Sequence, residues 1–347
     1  MSELLHQLVW VSRLFGGGVV LMAVGWFLRR WPRLATLPAA FGGVIVIYAI
    51  SIPAAYIRPR PPPQTTDWFR GVEYLRYRVD APVRQMVHVV RVDLAQPGVR
   101  VMVTPGASVE SKSIETSSVA RWPIGARKTT EFLAEFDQQI AVNAGFFYEC
   151  WSSGPFHYYP RSGDGVGLVG RSVALGTEYS PHDPSTQTLW FFEGRAEVTD
   201  EFRAAPFGVS GYPLLIEGKI PPAVVRTRGR HPRVAAGVDS KGRTLIFVVI
   251  DGRAPFYSEG ATLLELAERM RQEGGFDAIN LDGGGSSTLV RRDTRGAPEI
   301  VNLPVHGRMP SGFERPVANH IGISGLTTMP SVHFNSEGPK ISSPQGS

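Results

Sequence analysis

The sequence predicts an α+β fold, in which a mixed, mainly antiparallel sheet packs with helices and follows an N-terminal transmembrane helical hairpin. Three observations support this prediction. Several segments alternate apolar and polar residues with the period of two expected of half-buried strands. One amphipathic segment opens with the capping pattern of a helix. The first sixty residues are strongly apolar, unlike the chain that follows them.

Two apolar runs form the predicted hairpin. Residues 34–57 carry no charge, and about 20 apolar residues suffice to cross a bilayer. Residues 14–28 reach that length only if the helix extends back past Arg13. The basic loop 29–33 belongs on the cytoplasmic side by the positive-inside rule, so the chain from about residue 60 faces outward. Alternatively, the second run alone spans as a signal anchor with the same orientation, or both runs form a buried hairpin of a soluble protein.

The 347 residues divide into four predicted parts. A membrane anchor of two helices covers 1–60, and a Pro-rich linker over 61–72 holds the next part off the bilayer. One folded body covers 73–326. The segment 327–347, rich in Ser, Pro and Gly, is predicted to be disordered. The predicted location is the cell membrane, with the body on the periplasmic or extracellular side.

The body contains recognisable strands and one clear helix. Residues 86–93 alternate as a strand, and residues 234–250 read as a hairpin with a Gly-containing turn. Thr262 and Glu265 have capping-box spacing and open an amphipathic helix that ends before a Gly pair. A short apolar strand, 278–282, follows. The order strand, helix, strand allows one parallel crossover, but the remaining pattern is antiparallel.

Composition excludes two kinds of site. The net charge is +5 and the basic residues are scattered, so the electrostatic footprint of a nucleic-acid-binding protein is missing. The single cysteine, Cys150, excludes an internal disulfide and a cysteine-based zinc site.

The segment around Asp282 is the strongest local motif. Asp282 ends an apolar strand and precedes three glycines, Gly283, Gly284 and Gly285, which leave the backbone open to a ligand. Consecutive free N–H groups there would form an anion-binding nest, flanked by the hydroxyls of Ser286 and Ser287. A plain Gly-rich hairpin turn is the structural alternative.

Other polar residues also follow strand ends. They are Asn143, Gly145 and Phe147 in one segment, Arg233 in a basic stretch, Asp251 after a strand, Tyr257, Ser258 and Glu259 before the helix, and Arg315 and Asn319 near the end. Each has a structural alternative as a turn, a surface or a core residue. An arginine near a strand is suited to hold a phosphate by paired hydrogen bonds.

Taken together, these segments resemble the phosphodiester glycosidase family. The motifs that carry the resemblance are Asn143-Ala-Gly-Phe-Phe147, His231-Pro-Arg-Val-Ala-Ala-Gly237, Val249-Ile-Asp-Gly-Arg253, Tyr257-Ser-Glu-Gly260, Asn280-Leu-Asp-Gly-Gly-Gly-Ser-Ser-Thr288 and Glu314-Arg-Pro-Val-Ala-Asn319. They occur in family order over about residues 88–325. The resemblance implies an α+β catalytic domain that faces a secretory or periplasmic space and hydrolyses a sugar-1-phosphodiester or a related envelope or exopolysaccharide glycan.

The resulting hypothesis assigns a role to each motif. Asp282 is the base or nucleophile, with Asp251 or Glu259 as its partner. Protonation of the leaving oxygen is less necessary here than in other glycosidases, because phosphate leaves readily once its charge is held. Arg233 and Arg315 hold the phosphate beside the glycines. Asn143 and Asn319 orient sugar hydroxyls, and Phe147 or Tyr257 stacks on the sugar.

Two alternatives stay open. The first is a phosphodiesterase that cleaves P–O with a divalent cation held by Asp251, Asp282 and Glu259, since hard cations prefer oxygen ligands. The second is a non-catalytic glycan-binding envelope module. No other cofactor is expected. The predicted partners are a carbohydrate or sugar-phosphate substrate and the membrane, through the N-terminal helices.

Overall fold

A computed structural model describes residues 58–106, 124–154, 157–254, 256–307 and 311–327, together with isolated helical residues at 19–22, 26, 42–43 and 45–46. Most of the predicted membrane hairpin and the predicted tail after residue 327 lie outside these described residues. Among the residues that are described, none belongs to a helix long and apolar enough to cross a membrane.

The described chain is mainly antiparallel β-structure with few helices. Its strands are β1 (Gln64–Phe69), β2 (Val72–Val79), β3 (Gln85–Asp93), β4 (Arg100–Val103), β5 (Ile124–Gly125), β6 (Ile140–Asn143), β7 (Phe147–Tyr148), β8 (Trp151–Ser152), β9 (Tyr158–Tyr159), β10 (Gly165–Leu168), β11 (Ser172–Ala174), β12 (Thr177–Ser180), β13 (Gln187–Phe192), β14 (Arg195–Thr199), β15 (Phe207–Leu215), β16 (Arg233–Val238), β17 (Thr244–Ile250), β18 (Asp277–Asn280), β19 (Leu289–Arg292), β20 (Pro298–Ile300) and β21 (His320–Ser324). The helices are α1 (Thr129–Glu135), α2 (Pro222–Arg226) and α3 (Leu263–Gln272), and Gly284–Ser286 form a 3-10 turn.

Two sheets carry most of the body. The larger has the strand order β1-β2-β3-β17-β16-β18-β15-β11-β12, with the β13–β14 hairpin joined to β15. The smaller has the order β20-β19-β6-β21-β4. The strands β17 and β18 flank β16 and are both antiparallel to it, so α3 connects two parallel strands that are not neighbours. The parallel crossover that the sequence allowed is therefore present, with β16 between its two strands.

The two sheets pack face to face between helices. Leu245, Phe247 and Val249 of β17 join the core shared with Ile140 and Ile321 of the smaller sheet. The alternate residues of β17 face the other way and pack against α3. Because both faces of β17 are covered, its sequence is a continuous apolar run rather than an alternating one. α1 covers the far face of the smaller sheet.

Several local predictions are confirmed. The hairpin of β16 and β17 has the expected turn. Thr262 accepts a hydrogen bond from the Glu265 N–H, Glu265 accepts one from the Thr262 N–H, and the helix ends at Gln272. The predicted linker is different, because residues 64–69 form β1, and Arg76 and Arg78 donate to carbonyls of the preceding prolines. These residues are part of the folded body rather than a free spacer.

Candidate active site

Strand ends from both sheets meet at one place and bring the predicted segments together. Because β16 is antiparallel to its neighbours, its first residue, Arg233, lies opposite Ile250 at the end of β17. The end of β18 lies on the other side of β16. In the smaller sheet, Asn143 at the end of β6 lies opposite His320 at the start of β21. The loops that follow these strands therefore converge.

Asp282 joins the two sheets at this point. Its N–H donates to the Ala144 carbonyl over 2.8 Å. The Asn143 amide donates to the Asp282 carbonyl over 2.7 Å and accepts from the Thr288 N–H over 2.9 Å. Asn143 is fully buried, so it fixes both ends of the glycine loop, and this use replaces its predicted contact with a sugar hydroxyl.

The Asn319 side chain likewise makes its hydrogen bonds within the protein. Its side-chain oxygen accepts from the Gly145 N–H over 2.7 Å, and its side-chain nitrogen donates to the Ser172 hydroxyl over 3.1 Å. Both Asn319 and Gly145 are buried. The predicted substrate contacts of these two residues are therefore replaced by contacts that shape the loop after β6.

The three glycines make room for neighbouring groups. A Cβ on Gly285 would lie 2.5 Å from Nη2 of Arg315, and a Cβ on Gly284 would lie 3.1 Å from Nη2 of Arg253. A Cβ on Gly283 would lie 2.6 Å from the Pro232 carbonyl oxygen. The glycines thus let two guanidinium groups approach the loop from the side.

Several N–H groups of the predicted nest already have acceptors within the protein. The Gly284 N–H donates to the Pro232 carbonyl over 2.8 Å, and the Ser286 N–H donates to the Gly283 carbonyl over 3.1 Å. The Gly283 N–H faces the Asp282 carboxylate and lowers its pKa. Because these donors already have acceptors, guanidinium groups rather than backbone amides supply the positive charge of the site.

Arginine side chains surround the Asp282 carboxylate. Both Arg315 and Arg253 act on its charge. Arg233 donates to the carbonyls of Ala261 and Gly229, and burial together with the charge of Arg253 lowers its pKa to about 10. Two guanidinium groups beside one carboxylate leave a net positive site that suits an anion.

The Asp282 carboxyl group is poised to exchange a proton near neutral pH. Burial raises its pKa to about 6, although the Ser286 hydroxyl and the charges of Arg315 and Arg253 act in the opposite direction. Desolvation therefore outweighs the arginines. A side chain with such a pKa is suited to act as a general base.

A histidine stands behind Arg315. The Arg315 Nε donates to Nδ1 of His306 over 3.3 Å. Because a guanidinium group only donates, Nδ1 is the acceptor and the ring proton lies on Nε2. Burial and the charges of Arg315 and Lys128 lower the His306 pKa to about 4, so the ring is neutral.

Several buried polar atoms of this region make no hydrogen bond within the part of the chain that is described. They are the hydroxyls of Ser287 and Thr288, Oδ1 of Asn280 and Nε2 of His306. A buried polar group without a partner costs about 1–3 kcal/mol. These atoms lie in the segments around Asp282, and their free donors and acceptors suit a polar ligand.

Asp251 lies in a closed network instead of the open site. One carboxylate oxygen accepts from the Asn302 side chain over 3.0 Å and from the Leu303 N–H over 2.9 Å. The other faces His88 Nε2 at 3.1 Å, and the Tyr74 hydroxyl contacts Nδ1 of the same ring at 2.8 Å. With both oxygens engaged and no exposed surface, Asp251 positions its neighbours rather than touching a substrate.

The motif after Asp251 also serves the fold. The Ser258 hydroxyl donates to the Asp251 carbonyl and accepts from the Met86 N–H. Tyr257 is buried in the same small cluster, so it offers no stacking surface. Glu259 is exposed, and its N–H donates to the Arg84 carbonyl. We find no contact in these positions that makes Glu259 a partner of Asp282.

Of the two phenylalanines in the Asn143 motif, Phe146 is partly accessible and Phe147 is buried. Phe147 is buried against Val166 and Val317. Phe146 is half-buried, and the centroid of its ring lies 5.0 Å from the centroid of the Tyr212 ring. Tyr212 is 38% exposed. The stacking surface predicted for Phe147 is therefore available on its neighbour.

The donor set for a divalent cation is not assembled. Asp251 has engaged both oxygens and Glu259 is exposed. Over the described ranges, no three His, Cys, Asp or Glu side chains lie close enough together to hold a metal ion. The three carboxylates that the sequence offered as ligands thus do not fit that role.

Sequence reasoning did not assign Arg253, His306 or Tyr212 to the site. Arg253 follows Asp251-Gly252 at a strand end, the same pattern that singled out Asp282, so a local signal for it existed. His306 and Tyr212 lie in no motif, and only the fold brings them to this place.

The geometry agrees with what comparison with known proteins finds. The model of the phosphodiester glycosidase family matches residues 136–324, a range that contains every segment of the site. Over 62 residues the chain is 44% identical to the N-acetylglucosamine-1-phosphodiester alpha-N-acetylglucosaminidase of Mus musculus. That match covers 18% of this chain and 11% of the mouse protein.

A solved structure of a related domain has the same fold. The catalytic domain of zebrafish N-acetylglucosamine-1-phosphodiester alpha-N-acetylglucosaminidase superposes with a TM-score of 0.50 at 20% identity, covering 76% of this chain and 87% of that one. A hypothetical protein from Synechocystis superposes with a TM-score of 0.45 at 17% identity, over 76% of this chain and 64% of that one. With more than half of its sequence matched by the family model, the chain belongs to the phosphodiester glycosidase family.

Proposed function

We propose that this chain hydrolyses a sugar-1-phosphodiester by breaking the bond between the anomeric carbon and the phosphate oxygen. The observation that carries the proposal is the position of the Asp282 carboxylate between two arginines. The guanidinium groups of Arg253 and Arg315 approach it over Gly284 and Gly285. The arginines hold the phosphate, and the carboxylate lies within the same charged cluster. The name of the mouse relative supports N-acetylglucosamine as the sugar to test first.

In this mechanism Asp282 accepts a proton from the water molecule that attacks the anomeric carbon. The carbon–oxygen bond breaks, and its electron pair leaves with the phosphate oxygen. The products are the free sugar and a phosphomonoester. Glycosidases usually need a second carboxyl group to protonate the leaving oxygen, but a phosphate held by guanidinium groups leaves as an anion without that proton.

The test is hydrolysis of the methyl phosphodiester of N-acetylglucosamine 1-phosphate by the full chain in isotope-labelled water. We expect free N-acetylglucosamine that carries the label. Asp282→Asn should lower turnover by about 10²–10⁴-fold, the usual contribution of a positioned base. Glu193→Gln changes an exposed carboxylate in the β13–β14 turn and serves as the control with unchanged turnover.

The other outcomes separate the alternatives. Label in the phosphate product would indicate P–O cleavage and a phosphodiesterase. Binding of the diester without turnover would favour a glycan-binding module. Unchanged turnover in Asp282→Asn would remove Asp282 from the mechanism.

We also propose that the N-terminal apolar runs anchor the chain and that the catalytic body faces the extracytoplasmic side. The support is the pair of apolar runs and the basic loop 29–33 between them. Cys150 is the single cysteine and is exposed, so a membrane-impermeant maleimide should label it on intact spheroplasts. Labelling only after lysis would overturn the orientation, and Cys150→Ser is the control for specificity.

A further inference from the structure

A second group of residues lies beside Asp282 on the larger sheet and has no part in the proposed chemistry. Tyr212 on β15 lies opposite Asn280 on β18, and Asn280 pairs on its other side with Ala235 of β16. Directly paired residues of antiparallel strands share a face of the sheet. Tyr212 and Asn280 are therefore neighbours on one face, and Arg233 lies on that same face two residues before Ala235.

This row runs up to the reacting carboxylate. Asn280 is two residues before Asp282. Phe146 is two residues after Ala144, whose carbonyl accepts from the Asp282 N–H. The centroids of the Phe146 and Tyr212 rings are 5.0 Å apart, and the ring planes are tilted by 60°. Two separate chain segments that pair with the strand and loop leading to Asp282 thus each contribute an aromatic ring.

The aromatic pair is open to a ligand. Tyr212 is 38% exposed although its strand lies within the sheet, and Phe146 is half-buried. Burial and the negative charge of Asp183 raise the pKa of the Tyr212 phenol, so its hydroxyl stays protonated and remains a donor. A ring with an apolar face and a polar tip favours ligands that combine the same two characters.

A polar group in the same row lacks a partner. Asn280 is 3% exposed, and its Oδ1 makes no hydrogen bond among the described residues. A ligand hydroxyl or amide N–H that donates to Oδ1 would remove the free-energy cost of this buried acceptor.

We propose that Phe146, Tyr212 and Asn280 form the subsite for the sugar ring whose anomeric carbon reacts. The ring packs its C–H face on Tyr212 and Phe146, and one of its donors binds Asn280. Arg253 and Arg315 hold the phosphate at the far side of the anomeric carbon. This inference rests on the proposed function for its orientation, but the subsite binds a pyranose whether or not the bond is cleaved.

The experiment measures sugar and phosphate binding separately on the full chain. N-acetylglucosamine is titrated and its binding followed by saturation-transfer NMR, and inorganic phosphate is titrated in parallel by calorimetry. We expect Tyr212→Ala to weaken N-acetylglucosamine binding at least tenfold and to change phosphate binding less than twofold. Tyr212→Phe should retain sugar binding within about threefold, because the stacking face stays.

Two further variants sharpen the test. Asn280→Ala should weaken sugar binding about tenfold, again without an effect on phosphate. Trp151→Ala removes a ring that is 49% exposed on the β8–β9 hairpin, and we expect no change in either titration. Equal weakening by Trp151→Ala would mean that any exposed ring binds the sugar, and the proposal would then be wrong.

The binding experiment and the hydrolysis experiment can fail independently of each other. If the wild-type chain binds N-acetylglucosamine through Tyr212 but does not hydrolyse the diester, the subsite stands and the hydrolase assignment fails. If it hydrolyses the diester and Tyr212→Ala leaves the KM and sugar binding unchanged, the hydrolase assignment stands and the subsite fails. Circular dichroism of each variant excludes loss of the fold as the cause.

Discussion

Asp251 and Asp282 have the same local sequence setting and opposite surroundings. Each follows an apolar strand of the larger sheet and precedes a glycine. Asp251 is fully buried with three hydrogen-bond donors on its carboxylate. Asp282 is half-buried, and desolvation outweighs the Ser286 hydroxyl, the Gly283 N–H and the nearby arginines, so its pKa rises to about 6. A buried charge that is fully paired stabilises its neighbours, whereas one that is partly paired is free to react.

The largest expected difference between the two is in stability. Asp251→Ala leaves His88, Asn302 and the Leu303 N–H without their acceptor, and breaking such a buried pair costs about 3–5 kcal/mol. Asp282→Ala removes a carboxylate whose ionised form destabilises the folded chain, so it should not lower the free energy of unfolding at pH 7. Urea unfolding of the two variants measures both values. Equal losses of unfolding free energy in the two variants would show that both carboxylates stabilise the fold to the same extent.

The next comparison is between two glycines of the loop. A Cβ on Gly285 meets the flexible end of Arg315, while a Cβ on Gly283 meets the Pro232 backbone. Gly285→Ala should lower kcat/KM about 10²-fold by displacing a guanidinium, because small misplacements have effects of that size. Gly283→Ala should instead lower the free energy of unfolding by about 2 kcal/mol. Kinetics and unfolding on both variants test this, and loss of activity without loss of stability in Gly283→Ala would contradict it.

The third effect is the pH dependence of the reaction. If Asp282 must be ionised to accept a proton, kcat/KM should rise about tenfold per pH unit below about pH 6 and level off above it. The carboxyl pKa of an ordinary aspartate would place this change near pH 4. A rate profile from pH 4 to pH 8 distinguishes the two. The stability of each sample is checked at the same pH values.

The smallest effect is again on stability, with the opposite sign to that of Asp251. The folded-state pKa of Asp282 lies above its unfolded value, so the ionised carboxylate destabilises the folded chain, and this penalty appears as pH rises from about 4 to 6. Asp282→Asn should therefore raise the free energy of unfolding at pH 7 by on the order of 1 kcal/mol and leave it unchanged below about pH 4. A variant less stable than wild type at pH 7 would show that the carboxylate is better paired than its surroundings indicate.

The sequence predicts the strands around this site better than the roles of its residues. Apolar runs and capping residues are local signals, so β16, β17, β18 and α3 are found at nearly their true bounds. The partners of Asp251 lie 51, 52 and 163 positions away, so its local sequence does not reveal that its carboxylate is fully paired. The choice between Phe146 and Phe147 depends on which way a strand faces, which an aromatic pair alone does not reveal.

The buried asparagines have a consequence for how the chain acquires activity. Asn143 meets Thr288 across 145 positions, Gly145 meets Asn319 across 174, and Thr104 meets His320 across 216. Contacts of such long range form slowly, because the chain must close large loops before they contribute. During synthesis the smaller sheet stays open until β21 has been made. We therefore expect the loop that carries Asp282 to take its final shape among the last steps of folding.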